Sequence, residues 1–433
     1  MEYLTPNFTK DMLKDYTILF PNMAPLQFQC IQKAMDSEGI HCEVLNNSGS
    51  EVAQLGLKYV HNDTCYPALL IIGQFIDALN SGKYDLHHTA LLISQSGGGC
   101  RASNYIKLLR KALVKAGYGY IPVASINPTG LESSSSLPLT LTLVRKLIAC
   151  AFYGDEIAAL RNQIIPYEVH SGQTEAWCNQ WIHEIDIWMH ENKNYSIHAM
   201  KKNFIKIAND AKKIERKIEK KVKVGVVGEI FVKFSPLGNN GLQEFLEKEG
   251  CEVNMPGVMG YINYCCANFA LDAKLYNMNQ TFGFMADKLL NVLDSVGQAC
   301  TKAMKDAGFY GAGSFKQLMK KPEGILSLGV KMGEGWLLCA EMVELIEDGY
   351  SNIVCAQPFG CLPNHIAGKG VTNKIREKYP EANITAVDYD PSSTKVNQEN
   401  RIKLMLTNAK RDLASIDEEF ASNEVREAVA EMS

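Results

Sequence analysis

The chain has 433 residues, 46% of them hydrophobic and 21% charged, ordinary globular values that exclude wholesale disorder. Its 44 basic and 48 acidic residues leave a net charge of −4. That balance excludes a chain built chiefly to grip nucleic acid or anionic lipid, since both leave a basic excess. At roughly 100–200 residues per domain, two or three domains are expected.

Thirteen cysteines in 433 residues fall well short of the roughly 8–10% that marks a small disulfide scaffold. The start, MEYLTPNFTKDML, has no basic segment followed by an apolar one, so no signal peptide is expected. The longest apolar runs, such as Ala68–Ile72, are far shorter than the roughly 20 residues that span a bilayer. The expectation is a cytoplasmic protein with reduced thiols, where unusual cysteines serve metals or catalysis rather than disulfides.

The predicted elements alternate from the start. Thr17–Phe20 reads as a short strand ending at Pro21, Leu26–Met35 as a helix stopped at Glu38-Gly39, and Cys42–Leu45 as the next strand. Tyr66–Leu79 is helical, Ala90–Ser94 a buried strand, Arg101–Ala116 a helix ending at Gly117, and Ile121–Ile126 another strand. Strands alternating with such helices predict a parallel sheet covered on both faces. The unit closes near Asn127–Gly130 and the serine run Ser133–Ser136.

From Leu139 to Lys221 the spacing is almost wholly helical. Within Lys201–Lys223, Phe204, Ile207, Ala208, Ala211, Ile214 and Ile218 recur at three- and four-residue steps, with lysines on the other faces. This predicts a long solvated connector helix. A second α/β unit follows, with strands at Val222–Val227, Cys251–Val253, Ile353–Cys355 and Ile384–Val387. Its helices are predicted over Gly241–Glu249, Trp336–Ile346, Ile366–Lys378 and Val396–Leu413, with a helical insertion and a peripheral acidic tail after Asp417. The expected domains are residues 1–138, a helical connector over 139–221, and 222–433 with its insertion at about 256–320. No internal repeat is visible, although the halves share a rhythm.

Ligands of open α/β sheets gather beyond the carboxyl ends of the strands, and four cysteines are predicted there. Cys65 opens a helix within Asn62–Pro67. Cys100 follows Ser96-Gly97-Gly98-Gly99, Cys355 ends a strand, and Cys361 lies in the loop beyond it. Helix N-termini favour thiolate, and a run of glycines lets several N–H groups aim at one point. Such donors also hydrogen-bond the sulfurs of an iron–sulfur cluster. Two thiolates from each unit would then meet across the cleft.

The compact ferredoxin spacing and the paired couplets of a zinc ribbon are absent. Cys42, Cys150, Cys178, Cys251 and Cys300 read as small apolar core residues, while Cys30, Cys265, Cys266 and Cys339 fall nearer the predicted loops. Arg101 adds a fixed charge beside Cys100. His365 is either a proton donor or ligand, or a hydrogen-bonded loop histidine. Gly333-Glu334-Gly335-Trp336 and Gly368-Lys369-Gly370 look like phosphate-binding turns without the P-loop Lys-Ser/Thr pair. Asp388 and Asp390 suit a cation or turn capping.

Several of these stretches together resemble the 2-hydroxyacyl-CoA dehydratase superfamily, in particular the branch found alone or as the last module of large fused dehydratase-activator proteins. The resemblance is carried by Phe20–Met23, Asn62–Pro67 with Ile72-Gly73-Gln74, Gln95–Tyr105, Gly333–Trp336, Gln357–Gly370, Asp388–Pro391 and Asn397–Met405. Leu139–Lys221 contributes little. It implies two flavodoxin- or Rossmann-like parallel-sheet units joined by the helical connector, with a cubane 4Fe–4S cluster in the cleft between them. Three cysteines would hold the cluster and leave one iron open. By the same resemblance Cys65 and Cys100 are ligands, with Cys361 and Cys355 either competing for the third place or filling both. A double cubane would draw further on Cys30 and Cys339.

The resemblance further implies a separate ATP-dependent activator, an ATPase with its own cluster that supplies electrons at low potential. The chain has no ATP-binding signature of that activator. The characterised dehydratases pair two unlike subunits, so a homo- or hetero-oligomer is expected. Their CoA-binding residues have no clear counterpart here, and the substrate is left as a small molecule or a CoA thioester. The resulting expectation is an oxygen-sensitive iron–sulfur reductase or dehydratase-like component, with Arg101 and His365 as polar neighbours of the open iron. The alternatives are a non-catalytic iron–sulfur scaffold or electron relay with four thiol ligands, and a zinc-stabilised or metal-free protein that binds a phosphorylated ligand.

Overall fold

The computed structural model describes residues 5–61, 63–95, 99–126, 137 and 139–431, with side chains to residue 414. The predicted turn at Asn127–Gly130, the serine run Ser133–Ser136, Asn62 and Ser96–Gly98 lie outside the described residues.

Four parallel strands form the first sheet: β1 (Thr17–Pro21), β2 (Cys42–Leu45), β3 (Thr89–Ser94) and β4 (Val123–Ile126), in the order β2-β1-β3-β4. The second sheet holds β5 (Lys223–Gly228), β6 (Glu252–Asn254), β7 (Asn352–Pro358) and β8 (Asn383–Tyr389), in the order β6-β5-β7-β8. All six pairings are parallel. The near-continuous apolar run of β3 is buried except at its last residue, as strands covered on both faces require. Each sheet thus repeats one topology, with its strand order reversing between its first and third strands. The repeat that the sequence hides is plain in the fold.

The two sheets are tied by one apolar core that includes Leu19 and Leu91 of the first, Val224, Val226 and Val354 of the second, and Ile72, Phe75 and Ile76 between them. Those last three sit on the helix Tyr66–Asn80, which is buried along almost its whole length. A helix apolar on every side belongs in a core. It crosses the helix Ser50–Tyr59, which has no counterpart in the predicted elements. A Cβ added at Gly73 would lie 2.0 Å from the Val52 carbonyl oxygen, and one at Gly56 would lie 2.2 Å from that of Leu69. Only glycine permits this approach, and the crossing fixes the helix whose first turn follows Cys65.

The middle of the chain departs from expectation. The helix Ile197–Ala211 stops short of the predicted connector, and Phe204, Ile207, Ala208 and Ala211 are fully buried. They share a core with the helices Pro25–Asp36, Leu141–Ile164, Gln173–His190 and Gln280–Asp306. The connector and the insertion are therefore parts of one packed helical layer. Beyond Ala211 the basic run leaves the helix and pairs with an earlier turn: Lys217 N–H donates to the Tyr167 carbonyl at 2.8 Å, and Val169 N–H to that of Glu215 at 3.1 Å. Crowded lysines gain little from more helix, while these bonds satisfy the backbone.

Other differences are of extent. The predicted helix over Arg101–Ala116 opens as a 3-10 turn, Arg101–Asn104, before the α-helix Tyr105–Ala116. That over Ile366–Lys378 divides into Leu362–Ala367 and Thr372–Lys378, and the last helix runs Lys395–Glu431. β7 continues to Pro358, which moves Cys355 from the end of the strand to its middle. Among the described residues, no helix is long and apolar enough to cross a membrane.

Candidate functional site

Three of the four predicted thiols come from loops of the two units that touch one another. Cys65 immediately precedes the helix Tyr66–Asn80. The Tyr66 N–H donates to the Phe359 carbonyl of the second unit at 3.1 Å. Gly360, with φ +74°, brings its backbone so close that an added Cβ would lie 3.3 Å from the Cys65 Cα. Cys361 is the next residue, and it opens the helix Leu362–Ala367. The Cys100 loop also reaches the second unit, with Gly99 N–H donating to Met332 Sδ at 3.1 Å.

Each sulfur has its own neighbours. Cys65 Sγ lies 3.2 Å from the Tyr105 hydroxyl, and Tyr105 is buried at the start of the helix behind Cys100. Asn364 Nδ2 donates to Cys361 Sγ at 3.5 Å and to Glu334 Oε2 at 3.1 Å. The other Glu334 oxygen accepts the Ile230 N–H at 3.1 Å. Next to Ile230, Glu229 at the end of β5 caps a short helix by accepting the Val232 N–H at 2.8 Å.

Electrostatics bind these groups into one site. Burial, with the nearby Glu334, Glu229 and Cys65, pushes the Cys100 thiol up to about 11. Burial and the same two glutamates raise Cys361 further. Burial also raises Cys65, with the Tyr105 hydroxyl and the Ala68 N–H opposing it. Burial and the adjacent Glu334 lift Glu229 to about 8, and burial raises Glu334. The expectation that helix N-termini would hold these cysteines as thiolates is thus reversed. Desolvation and two nearby carboxyls outweigh the N-terminal field, so with protons as the only counter-charge the thiols stay neutral.

Few cations offset this set. Lys233 is buried, but it is committed to Glu341 at 3.0 Å. Arg101 is exposed at the rim, near enough to favour the Cys65 thiolate weakly. Three thiols and two carboxyls gathered here can remain protonated or can share a cationic centre. Among the described residues, no three His, Cys, Asp or Glu side chains are close enough to hold a single metal ion as they stand.

The remaining candidates lie elsewhere. Cys355 is fully buried mid-strand, opposite Val227 and Ala386, in an apolar core with Cys339, Met342 and Val343. A strand's side chains alternate in direction. Val354 and Ala356 therefore face the core shared by both sheets, whereas Cys355 faces the opposite side, where its sulfur lies against Gly368 beyond the helix that Cys361 opens. Cys339 lies on that helix, and Cys30 lies in the helical layer with Cys150 and Cys178. The extra pair considered for a double cubane is thus divided between two separate cores, neither of which holds the three converging thiols. His365 is exposed, and its backbone N–H donates to the Cys361 carbonyl at 3.2 Å. Asp390 caps a turn through Ser392 and Ser393, and Asp388 lies 3.7 Å from both Lys369 and Arg401.

No family model matches the chain, and no curated protein matches it.

Three site residues escaped sequence reasoning as functional groups. Glu229 had a usable signal, a charge placed directly after a Val-rich buried strand. Glu334 lies in a motif that suggested phosphate binding, but Gly335 (φ +45°) has a packing reason: an added Cβ would fall 2.3 Å from the Val330 carbonyl oxygen. Tyr105 carries no local signal, because only the fold brings it to Cys65.

Proposed function

We propose that Cys65, Cys100 and Cys361 hold a 4Fe–4S cluster in the cleft between the two α/β units. On this reading the protein is an iron–sulfur reductase or dehydratase-like component, related to the 2-hydroxyacyl-CoA dehydratase superfamily. It would receive low-potential electrons from a separate ATP-dependent activator that carries its own cluster. The observation that carries the reading is the meeting of three thiols from three loops, across two sheets of the same topology, beside two carboxyls and almost no cation. A polynuclear centre fills the space between ligands that approach without touching, and its positive charge stabilises thiolates that burial otherwise disfavours. Bound there, it would supply one-electron chemistry and an iron with no protein ligand.

The chain's own groups would do the rest. Tyr105 and Asn364 direct hydrogen-bond donors at Cys65 and Cys361 and hold those sulfurs in place. Glu229, lifted to about 8, keeps a proton at neutral pH and can deliver it to a substrate in the cleft. Glu334 links Asn364 to the first turn of the helix Ile230–Phe234 that follows β5. Arg101 at the rim would attract an anionic small molecule or a CoA thioester. An oxygen-sensitive, cytoplasmic protein working as a homo- or hetero-oligomer fits this reading. A relay with four thiol ligands would need Cys355, whose sulfur lies in the core with Cys339 and Met342 and against Gly368.

The test is iron and acid-labile sulfide per chain after anaerobic reconstitution, with an EPR spectrum of the reduced protein. About four irons per chain are expected. No bound iron would overturn the reading.

A further inference from the structure

A cavity of about 740 Å³ opens where the helices Pro25–Asp36, Leu141–Ile164 and Gln280–Asp306 meet the loop after β6. It shares no lining residue with the thiol site. Its volume is in the range of small-molecule sites, roughly 300–1,000 Å³. Phe152, Met259 and Met304 supply apolar wall. The carboxylates on the wall are Asp155, Glu156, Glu175, Glu244 and Glu247, against the single guanidinium of Arg161.

Four of the five carboxylates are engaged. Asp155 accepts the Val258 and Met259 N–H groups at 2.9 and 2.8 Å and Gln27 Nε2 at 2.9 Å. Arg161 pairs with Glu175 and Glu247, and Lys248 with Glu244. Glu156 is the exception: it is 1% exposed, and neither carboxylate oxygen has a hydrogen-bond partner. A buried carboxyl left this way is costly, and burial alone pushes it well above the ordinary carboxylate range. With the cavity's other carboxylates already engaged, a single free one is a poor cage for calcium or magnesium, which demand about six oxygens.

We propose that this cavity binds an organic ammonium ion with an apolar body, whose N–H groups are taken by Glu156. The acidic wall draws the cation in, and Phe152, Met259 and Met304 cover its carbon skeleton. The proposal stands independently of the iron–sulfur reading.

The probes are 2-phenylethylamine, 2-phenylethanol and phenylacetate, measured against the full chain by calorimetry and thermal shift. The amine should bind saturably, and the neutral and anionic analogues should not. Glu156→Gln, which keeps the shape of the protonated side chain, should fold normally and weaken amine binding about 10- to 100-fold. Gly297→Leu provides a second arm. Gly297 lines the cavity, and an added Cβ there meets only Phe152 Cε1 at 3.9 Å. Its side chain should fill the chamber and abolish binding while Glu156 remains. Equal binding of all three probes, binding of none, or an unchanged amine affinity in Glu156→Gln would overturn the proposal.

Discussion

At the carboxyl end of the first sheet, Cys65 opens the helix that precedes the third strand and Cys100 follows that strand. At the same two places in the second sheet stand Glu334, before the helix Trp336–Glu347, and Cys361, after β7. One scaffold position has taken sulfur in one unit and oxygen in the other. The backbone follows the difference: Cys65 enters an ordinary helix start, whereas Glu334 lies between two glycines with positive φ, Gly333 and Gly335. The comparison teaches how a three-thiol site arises from a repeated topology. The fourth corner is occupied by a carboxyl that burial raises above the ordinary carboxylate range and that accepts the Ile230 N–H and Asn364 Nδ2.

The comparison breaks most decisively on metal content. Replacing Cys65, Cys100 or Cys361 with serine should remove most of the reconstituted iron and sulfide, while Cys355→Ser should retain it. If Cys355→Ser loses iron as fully as Cys361→Ser, the second unit contributes differently from the geometry described above. Next in size is the charge pair beneath the second corner. Lys233→Met leaves Glu341 buried without its partner and should cost about 3–5 kcal/mol in chemical denaturation. Glu341 and Lys233 also act on Glu334 with opposite signs, so this variant should raise the Glu334 pKa further.

Smaller effects sharpen the contrast between the two corners. Gly335→Ala imposes a left-handed residue and a contact 2.3 Å from the Val330 carbonyl oxygen. It should cost about 2 kcal/mol or more by the same measurement. The metal-free protein should also lose stability as pH rises. Glu229 keeps its proton to about 8 in the native state, whereas the unfolded chain releases it near pH 4.5. The stabilisation is therefore complete below the unfolded value and lost as pH climbs through about 8, with a slope of at most about 1.4 kcal/mol per pH unit for this group. Melting temperatures at pH 5 and pH 8 should differ less in Glu229→Gln. Smallest of all, Cys178→Ser should leave the iron content unchanged, because Cys178 is buried in the helical layer.

The strands and most helices were legible because their signals are local. β2 matches Cys42–Leu45 residue for residue, and the apolar helix after Cys65 ends within one residue of its predicted end. The helix Ser50–Tyr59 was missed because the sequence alone does not show that Gly56 lies against the Leu69 backbone. The lysine-rich segment looked like a solvated connector because three-residue spacing reports an apolar face but not what covers it. Among the thiols, loop position and glycine context singled out Cys65, Cys100 and Cys361. Cys355 was placed beside them because its strand was read as ending three residues too early.

By itself the sequence determined two alternating α/β units, a helical middle, and a small set of cysteines at loops where ligands gather. These follow from periodicity and turn chemistry, which act over a few residues. Only the tertiary structure decided which thiols meet, that Glu229, Glu334 and Tyr105 surround them, and that a buried Glu156 with both oxygens unpartnered lies in the wall of a cavity. Those facts depend on contacts between segments far apart in sequence, such as Cys65 and Gly360, and on the loss of water around charged groups. Neither is written in the spacing of neighbouring residues, because burial and proximity are properties of the packed chain.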